Sequence, residues 1–566
     1  MSPRFFAVLA GLLLTACPKA PPDHPGTDRP DDKRLWAEVE KLAGQAESLL
    51  ARQEELIWKH WTEGTPADLS QTYDSEKQLF SATSIQTIDR LRQSLIATHH
   101  CTSAARGDPP LCPADPHAAL EVRALTYLQG YFVGEHLAQA LADQSDAISN
   151  LEASLTFTAG GKDYAYRDLD RLLASEKDAE KRQVLYAGST KAVMRLSPLV
   201  RLKDDRTEVL LRDLGTSYEA FGESIRYANI ERLASLAEQI LDLTKGAYAK
   251  AMEQVAQHEL HVSLDSLRRQ DIPRLFRPQN FQSSFPKEAL LPRADSTLSE
   301  MGIDLKAKKN ITMDLRDLAY KNPRPLTVAV AIPGDIRVSL KPVGGAQDEA
   351  ALLHQLALAL RFASIKDPPP PDSTARGSHP KVLRFAFQRL GSPALAAASA
   401  ILFGQLVEDP AWLQQYAEVS GDKVQSQLAM VRARQLYELR RRSGRVLYDI
   451  AVHRGDEQDL RVAYHRIMSR ACGLKMSEDD DARYVVDREE LYQSADDLQA
   501  WVISLQLKAA LKKRFGLSWW RSRSSGEMLK ELWSPGSILY PQELPPIWGG
   551  ELSADRVWQE LAPDGA

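Results

Sequence analysis

D-E-A-A-L-L-H-Q-L-A-L-A-L-R-F-A-S-I, residues 348–365, reads as a single helix carrying one histidine, His354. Just before it stand the clearest strands of the chain, T-V-A-V-A-I at 327–332 and I-R-V-S-L at 336–340. Pro333-Gly334-Asp335 between them makes a tight hairpin turn. Outward from this hairpin and helix the pattern is helical almost throughout. Leu35, Val39, Leu42, Leu49 and Leu56 recur on one face over 33–62, and similar stretches cover 74–100, 117–157, 165–195, 198–213 and 229–260. Asp74 and Asp163 stand at the starts of two of these stretches as helix caps. Further helices are expected at 392–417, 423–453, 457–472, 489–516 and 524–533, and D-P-P-P-P-D at 367–372 reads as a stiff exposed loop. The expectation is a mainly α protein with a small β-hairpin over 327–340 beside the helix 348–365.

The N-terminus carries Arg4, an apolar run from Phe5 to Leu14, and then Leu14-Thr15-Ala16-Cys17. That run is too short to span a bilayer, and residues 1–16 have the layout of a cleaved signal peptide. Small residues ahead of a cysteine resemble a bacterial lipobox, which makes Cys17 the lipid-bearing first residue of the mature chain; the alternative is an ordinary signal peptide with an incidental cysteine. Residues 17–32 then form a Pro-rich polar tether. These features place a lipid-anchored, soluble body in the bacterial cell envelope, periplasmic or associated with the outer membrane. The body, about 530 residues, exceeds what a single small core needs, and it is expected to be a monomer. A net charge of −5 gives no sign of nucleic-acid binding.

Cys101 and Cys112 flank a polar, proline-containing loop and suit a disulfide in an oxidising compartment. His99, His100 and His117 nearby offer a metal cluster as the alternative, but the spacing matches no standard zinc site. Cys472 is left over as a free, buried thiol. Arg440, Arg441, Arg442 and Arg445, close to Glu438, read as a solvated helical face, and His258 and His261 as residues of a surface helix.

A series of segments from about residue 170 onward carries a family resemblance: L-L-A-S-E-K-D-A-E-K-R (172–182), D-I-P-R-L-F-R (271–277), Phe285-Pro286, M-G-I-D-L (301–305) and N-P-R-P (322–325). It continues through the hairpin, K-P-V-G-G (341–345), the 348–365 helix, I-L-F-G-Q-L-V-E-D-P-A-W-L (401–413), Y-Q-S-A-D-D-L-Q-A-W (492–501) and R-F-G-L-S-W-W (514–520). In this order the segments resemble the thimet oligopeptidase and oligoendopeptidase F family of zinc metallopeptidases. The resemblance implies a two-lobed helical fold of the zincin type with a deep central channel. Residues 33–250 would form an N-terminal helical lobe, and 251–566 a peptidase-like lobe.

The family's active-site helix carries H-E-x-x-H, which sets two imidazoles one turn apart on a zinc ion with the glutamate as general base. Here the five positions are His354, Gln355, Leu356, Ala357 and Leu358. By the same alignment the third ligand, a glutamate in the family, falls on Ala397, and a substrate-holding tyrosine on Asp497. Only His354 survives as a ligand type. A catalytic zinc needs three protein ligands and a water, and the roughly 10–16 kcal/mol that holds such an ion exceeds what one imidazole supplies. An amide in the base position cannot accept the proton of an attacking water at neutral pH. A new site pairing His354 with Asp348 or Glu349 lacks any further motif. Zinc is therefore not expected, and neither is the family's classical activity. The expected function is a non-catalytic peptidase homologue that binds a peptide or protein segment in its channel. The alternatives are a working metallopeptidase with atypical ligands, and a structural envelope lipoprotein whose channel is filled by side chains such as Leu358 and Phe362.

Overall fold

The computed structural model describes residues 30–65, 72, 76, 78–277, 282–366, 380–419, 421–455 and 458–562. Cys17, the signal segment, Asp74 and the loop 367–372 lie outside them. The front of the chain forms helices α1 (Pro30–Glu63), α2 (Ala82–Thr98), α3 (Pro116–Ala140), α4 (Ala142–Ser154), α5 (Ala179–Asp213), α6 (Tyr218–Arg226) and α7 (Ile230–Leu260). The rest adds α8 (Ala346–Ser364), α9 (Pro380–Arg389), α10 (Pro393–Gly404), α11 (Gly421–Arg454), α12 (Leu460–Cys472) and α13 (Gln493–Phe515). Helices dominate, and the strands are few: β1 (Thr156–Ala159), β2 (Lys162–Ala165), β3 (Ile311–Asp314), β4 (Leu326–Ala331) and β5 (Asp335–Ser339).

Local chemistry explains most helix starts. Ser81 accepts the Ser84 amide and opens α2, Asp178 accepts the amides of Glu180 and Lys181 at α5, and Asn229 accepts that of Arg232 at α7. Several boundaries differ from the periodicity. The stretch 117–157 breaks at Leu141 into α3 and α4, and its end turns into the antiparallel pair β1–β2. Asp163 is therefore not a helix cap. It lies in β2 and accepts a hydrogen bond from the Thr158 hydroxyl at 2.6 Å across the hairpin, where two glycines at positive φ, Gly160 and Gly161, make the turn. The gap expected at residues 196–197 closes: α5 runs straight through Pro198. Met194, one turn earlier, is exposed, so water can satisfy the carbonyl that loses its partner. The stretch 392–417 splits into α10, one tight turn at Gln405–Glu408, and a short helix Pro410–Tyr416 capped by Asp409.

The hairpin forms as β4 and β5, and β3 adds a third strand parallel to β5, giving the order β3-β5-β4. One face of this sheet packs on α8, with Ala329, Ile336 and Val338 against Ala359, Phe362 and Ala363. The opposite side of α8, carrying Leu352, Leu353, Leu356 and Leu360, enters a core shared with α10 and α13 and dense in tryptophans 412, 519, 520 and 533. At about 2 kcal/mol per buried leucine, those four contribute roughly 8 kcal/mol to clamping α8 between the sheet and the helices. A larger core joins the two ends of the chain: Trp36, Leu91 and Phe132 from the front share it with Tyr437, Tyr464 and Trp501 from the back. Helix α7 packs along α11 in this core and runs through the lobe boundary expected at residue 250.

Candidate functional site

The positions drawn together by the family resemblance lie on α8, α10 and α13. Helix α8 starts at Gly345, whose φ of 107° suits glycine. Asp348 completes the entry by accepting the amides of Val343 (2.6 Å) and Gly344 (2.7 Å). Its carboxylate is thereby committed to the loop. Glu349 is fully buried and paired with Arg293 (3.1 Å), while its other oxygen has no partner. Burial pushes this carboxyl up to about 7, against the pull of Arg293. Neither acid turns toward His354 as a partner.

One side of α8 is neither fully buried nor exposed. Ala351, His354, Gln355, Leu358 and Phe362, at helical spacing, are all half-buried. His354 makes no hydrogen bond or ion pair among the described residues, and burial lowers its basicity, leaving a neutral imidazole at neutral pH. Helix α10 comes close beneath it, where a Cβ at Gly404 would lie 3.6 Å from the His354 Cβ and 3.8 Å from Nδ1. Gln355 turns to the sheet: its Oε1 lies 2.7 Å and its carbonyl oxygen 3.1 Å from the donating Thr327 hydroxyl of β4. Ala397 is half-buried on α10. Asp497 is half-buried on α13 and makes no bond to His354. Its neighbour Asp496 is the engaged acid, buried and bonded to Arg226 at 2.5 Å, with its carboxyl pushed up to about 6 by burial.

This donor set does not fit a catalytic zinc ion. Of the three positions that the resemblance aligns with zinc ligands one is an imidazole and two, Leu358 and Ala397, are hydrocarbons, while the position it aligns with the base is an amide bonded to Thr327. Among the described residues no group of three His, Cys, Asp or Glu side chains is placed to hold a metal.

Elsewhere, Cys101 and Cys112 are joined in a disulfide. The neighbouring histidines face carboxylates: His99 lies 3.1 Å from Asp115, and His117 3.5 Å from Glu121. Cys472 is buried, and burial pushes its thiol up. The arginine run on α11 is not a solvated face. Arg440 is buried and donates to the carbonyls of Leu241, Arg470 and Ala471 and to Thr244. Arg441 joins Arg269 around Asp487, whose carboxyl these guanidinium groups hold well below the usual range despite its burial. Charge spacing had no means of reporting these partners, which come from distant segments. His258 is exposed at the end of α7, and His261 caps that helix in the left-handed conformation.

No family model matches the chain, and no curated protein matches it. One residue of interest escaped the sequence reading: Arg361, on α8. Its signal was a charge on the buried stripe of Leu353, Leu356, Ala357 and Leu360 in an otherwise apolar run.

Proposed function

We propose that this chain is a lipid-anchored envelope protein on the scaffold of the zinc oligopeptidases, catalytically silent at the zinc position and used to bind a peptide or a segment of a partner protein. The half-buried row Ala351, His354, Gln355, Leu358 carries this reading. A filled, purely structural channel would pack Leu358 into one of the cores, and Leu358 belongs to none of them. A working metallopeptidase needs two more ligands converging on His354, and the positions that the resemblance aligns with them are Leu358 and Ala397. The surface offered is apolar with a few polar groups, the composition that suits an uncharged peptide stretch. The segment lies along α8 and α10 rather than adding to β4, because Glu54 already takes the Ala329 amide and Arg389 the Val330 carbonyl.

The test uses the purified full-length protein. Zinc per chain is measured after dialysis against trace zinc, and binding of a labelled peptide library is measured with and without zinc. Below about 0.1 zinc per chain, with peptide binding that Leu358→Arg abolishes and zinc leaves unchanged, is the expected result. One zinc per chain that His354→Ala removes would replace the proposal with an active peptidase, and a metal-free protein that binds no peptide would leave the structural scaffold.

A further inference from the structure

Among the described residues, buried arginines are well supplied with acceptors, with one exception. Arg123 and Arg182 face Glu543 and Asp271. Arg440 gives four hydrogen bonds, and Arg483 reaches Ser189, Thr190 and the Asp479 carbonyl. Arg361 is equally buried, at 5 % exposure, yet it makes a single hydrogen bond, from Nη2 to the Ser537 hydroxyl oxygen at 3.2 Å. No carboxylate pairs with it among the described residues. Burial alone, with no charged neighbour opposing it, lowers this guanidinium to about 10, so it remains cationic at neutral pH.

The guanidinium opens onto a small cavity between α8, α10 and α13. Its walls are apolar, formed by Leu395, Ile503, Leu507, Trp533 and Trp548, with Ser399 the other polar lining residue. Ser399 is already engaged, accepting from the Trp533 indole (3.0 Å) and donating to the Leu395 carbonyl (3.3 Å). What remains for an occupant is the set of Arg361 N–H groups that Ser537 does not take. Among the described residues that line the cavity there is no carboxylate to match them.

An unpaired charge in such a place is costly, several kcal/mol after relaxation, unless an opposite charge shares it. Water satisfies an N–H but leaves the charge standing. The cavity measures ≈ 20 Å³, a little more than the ~10–15 Å³ that one water requires. That volume suits an occupant about the size of a monatomic anion.

We propose that the Arg361 cavity is a binding site for a single halide ion, chloride in physiological media, held by the Arg361 guanidinium within an apolar shell. The ion neutralises the charge on α8 and holds the end of that helix against α10 and α13. The site is independent of whether the face around His354 binds a peptide.

Thermal unfolding of the full-length protein in sodium chloride and in sodium gluconate, at matched ionic strength, tests this. Gluconate is too large for the cavity. The expected result is a saturable rise of about 2 °C in Tm with chloride over gluconate, absent from Arg361→Met. Crystals grown in bromide should show one anomalous peak beside the guanidinium. Equal melting in both salts, or the same chloride response in Arg361→Met, overturns the proposal. Should Arg361→Met fail to fold, the bromide peak decides: a peak at Arg361 sustains the site, and its absence leaves the cavity to water and ends the idea.

Discussion

At the scale of single residues, the buried acids of this protein are as informative as the residues around His354. Asp449 on α11 is buried, accepts a hydrogen bond from the Ser494 hydroxyl through one oxygen, and leaves the other unpartnered. Burial pushes its carboxyl from 3.8 up to about 7, against the pull of Ser494 and Arg445. The folded state therefore keeps a proton that the unfolded chain gives up. The associated stability is fully present below about pH 4 and is lost as pH rises through 7, on the order of 4 kcal/mol across the window. Asp449→Asn retains the Ser494 contact without titrating. Urea midpoints at pH 5 and pH 8 should differ less in the variant than in the parent, with the gain appearing at pH 8; identical pH responses would remove Asp449 from this role. Gln355 makes a related point: its amide was legible, whereas its bond to Thr327 was not, because residues 327 and 355 meet only when the sheet docks on α8.

At the scale of elements, the hairpin and α8 were legible because their signals are local: period-two alternation, a Pro-Gly-Asp turn and a continuous apolar helix. The strand β3 was not, since a four-residue strand paired in parallel carries no turn beside it. The sheet edge at β4 shows what tertiary packing adds. An edge strand invites pairing with another chain, and here Arg389 of α9 bonds the Val330 carbonyl (2.8 Å) while pairing with Glu54 of α1 (2.9 Å). Arg389 is nearly inaccessible and Glu54 mostly so. Arg389→Ala strands Glu54 in a site whose burial already raises its pKa, and is expected to cost about 3 kcal/mol. Adding Glu54→Gln should restore part of that loss in denaturant titrations; additive losses would show that the pair is not coupled.

At the scale of the whole molecule, the ends of the chain are held together. The loop closed by the Cys101–Cys112 disulfide reaches the back of the chain and the α6–α7 junction, through the Gln542 side chain to the Gly107 carbonyl (3.1 Å) and Arg232 to Asp108 (2.6 Å). Gly107 sits at φ +77°, where a Cβ would lie 2.4 Å from the Ala228 carbonyl oxygen, so this approach needs glycine. Cross-linking residues 11 apart restricts the unfolded chain by about 3 kcal/mol in the loop-entropy account. Cys101→Ser with Cys112→Ser should lower the denaturant midpoint accordingly, and the parent should fall to the same value under reductant; no change in either would show that the loop is held by its other contacts.

The sequence alone determined the helical class and the hairpin before α8, because each is written in adjacent residues. Only the tertiary structure decided which side of α8 remains half-buried, that Arg440 is buried and Arg441 paired with Asp487, and that Arg361 has no counter-charge among the described residues. Burial and pairing depend on segments tens to hundreds of residues apart, and no local pattern records who their neighbours will be.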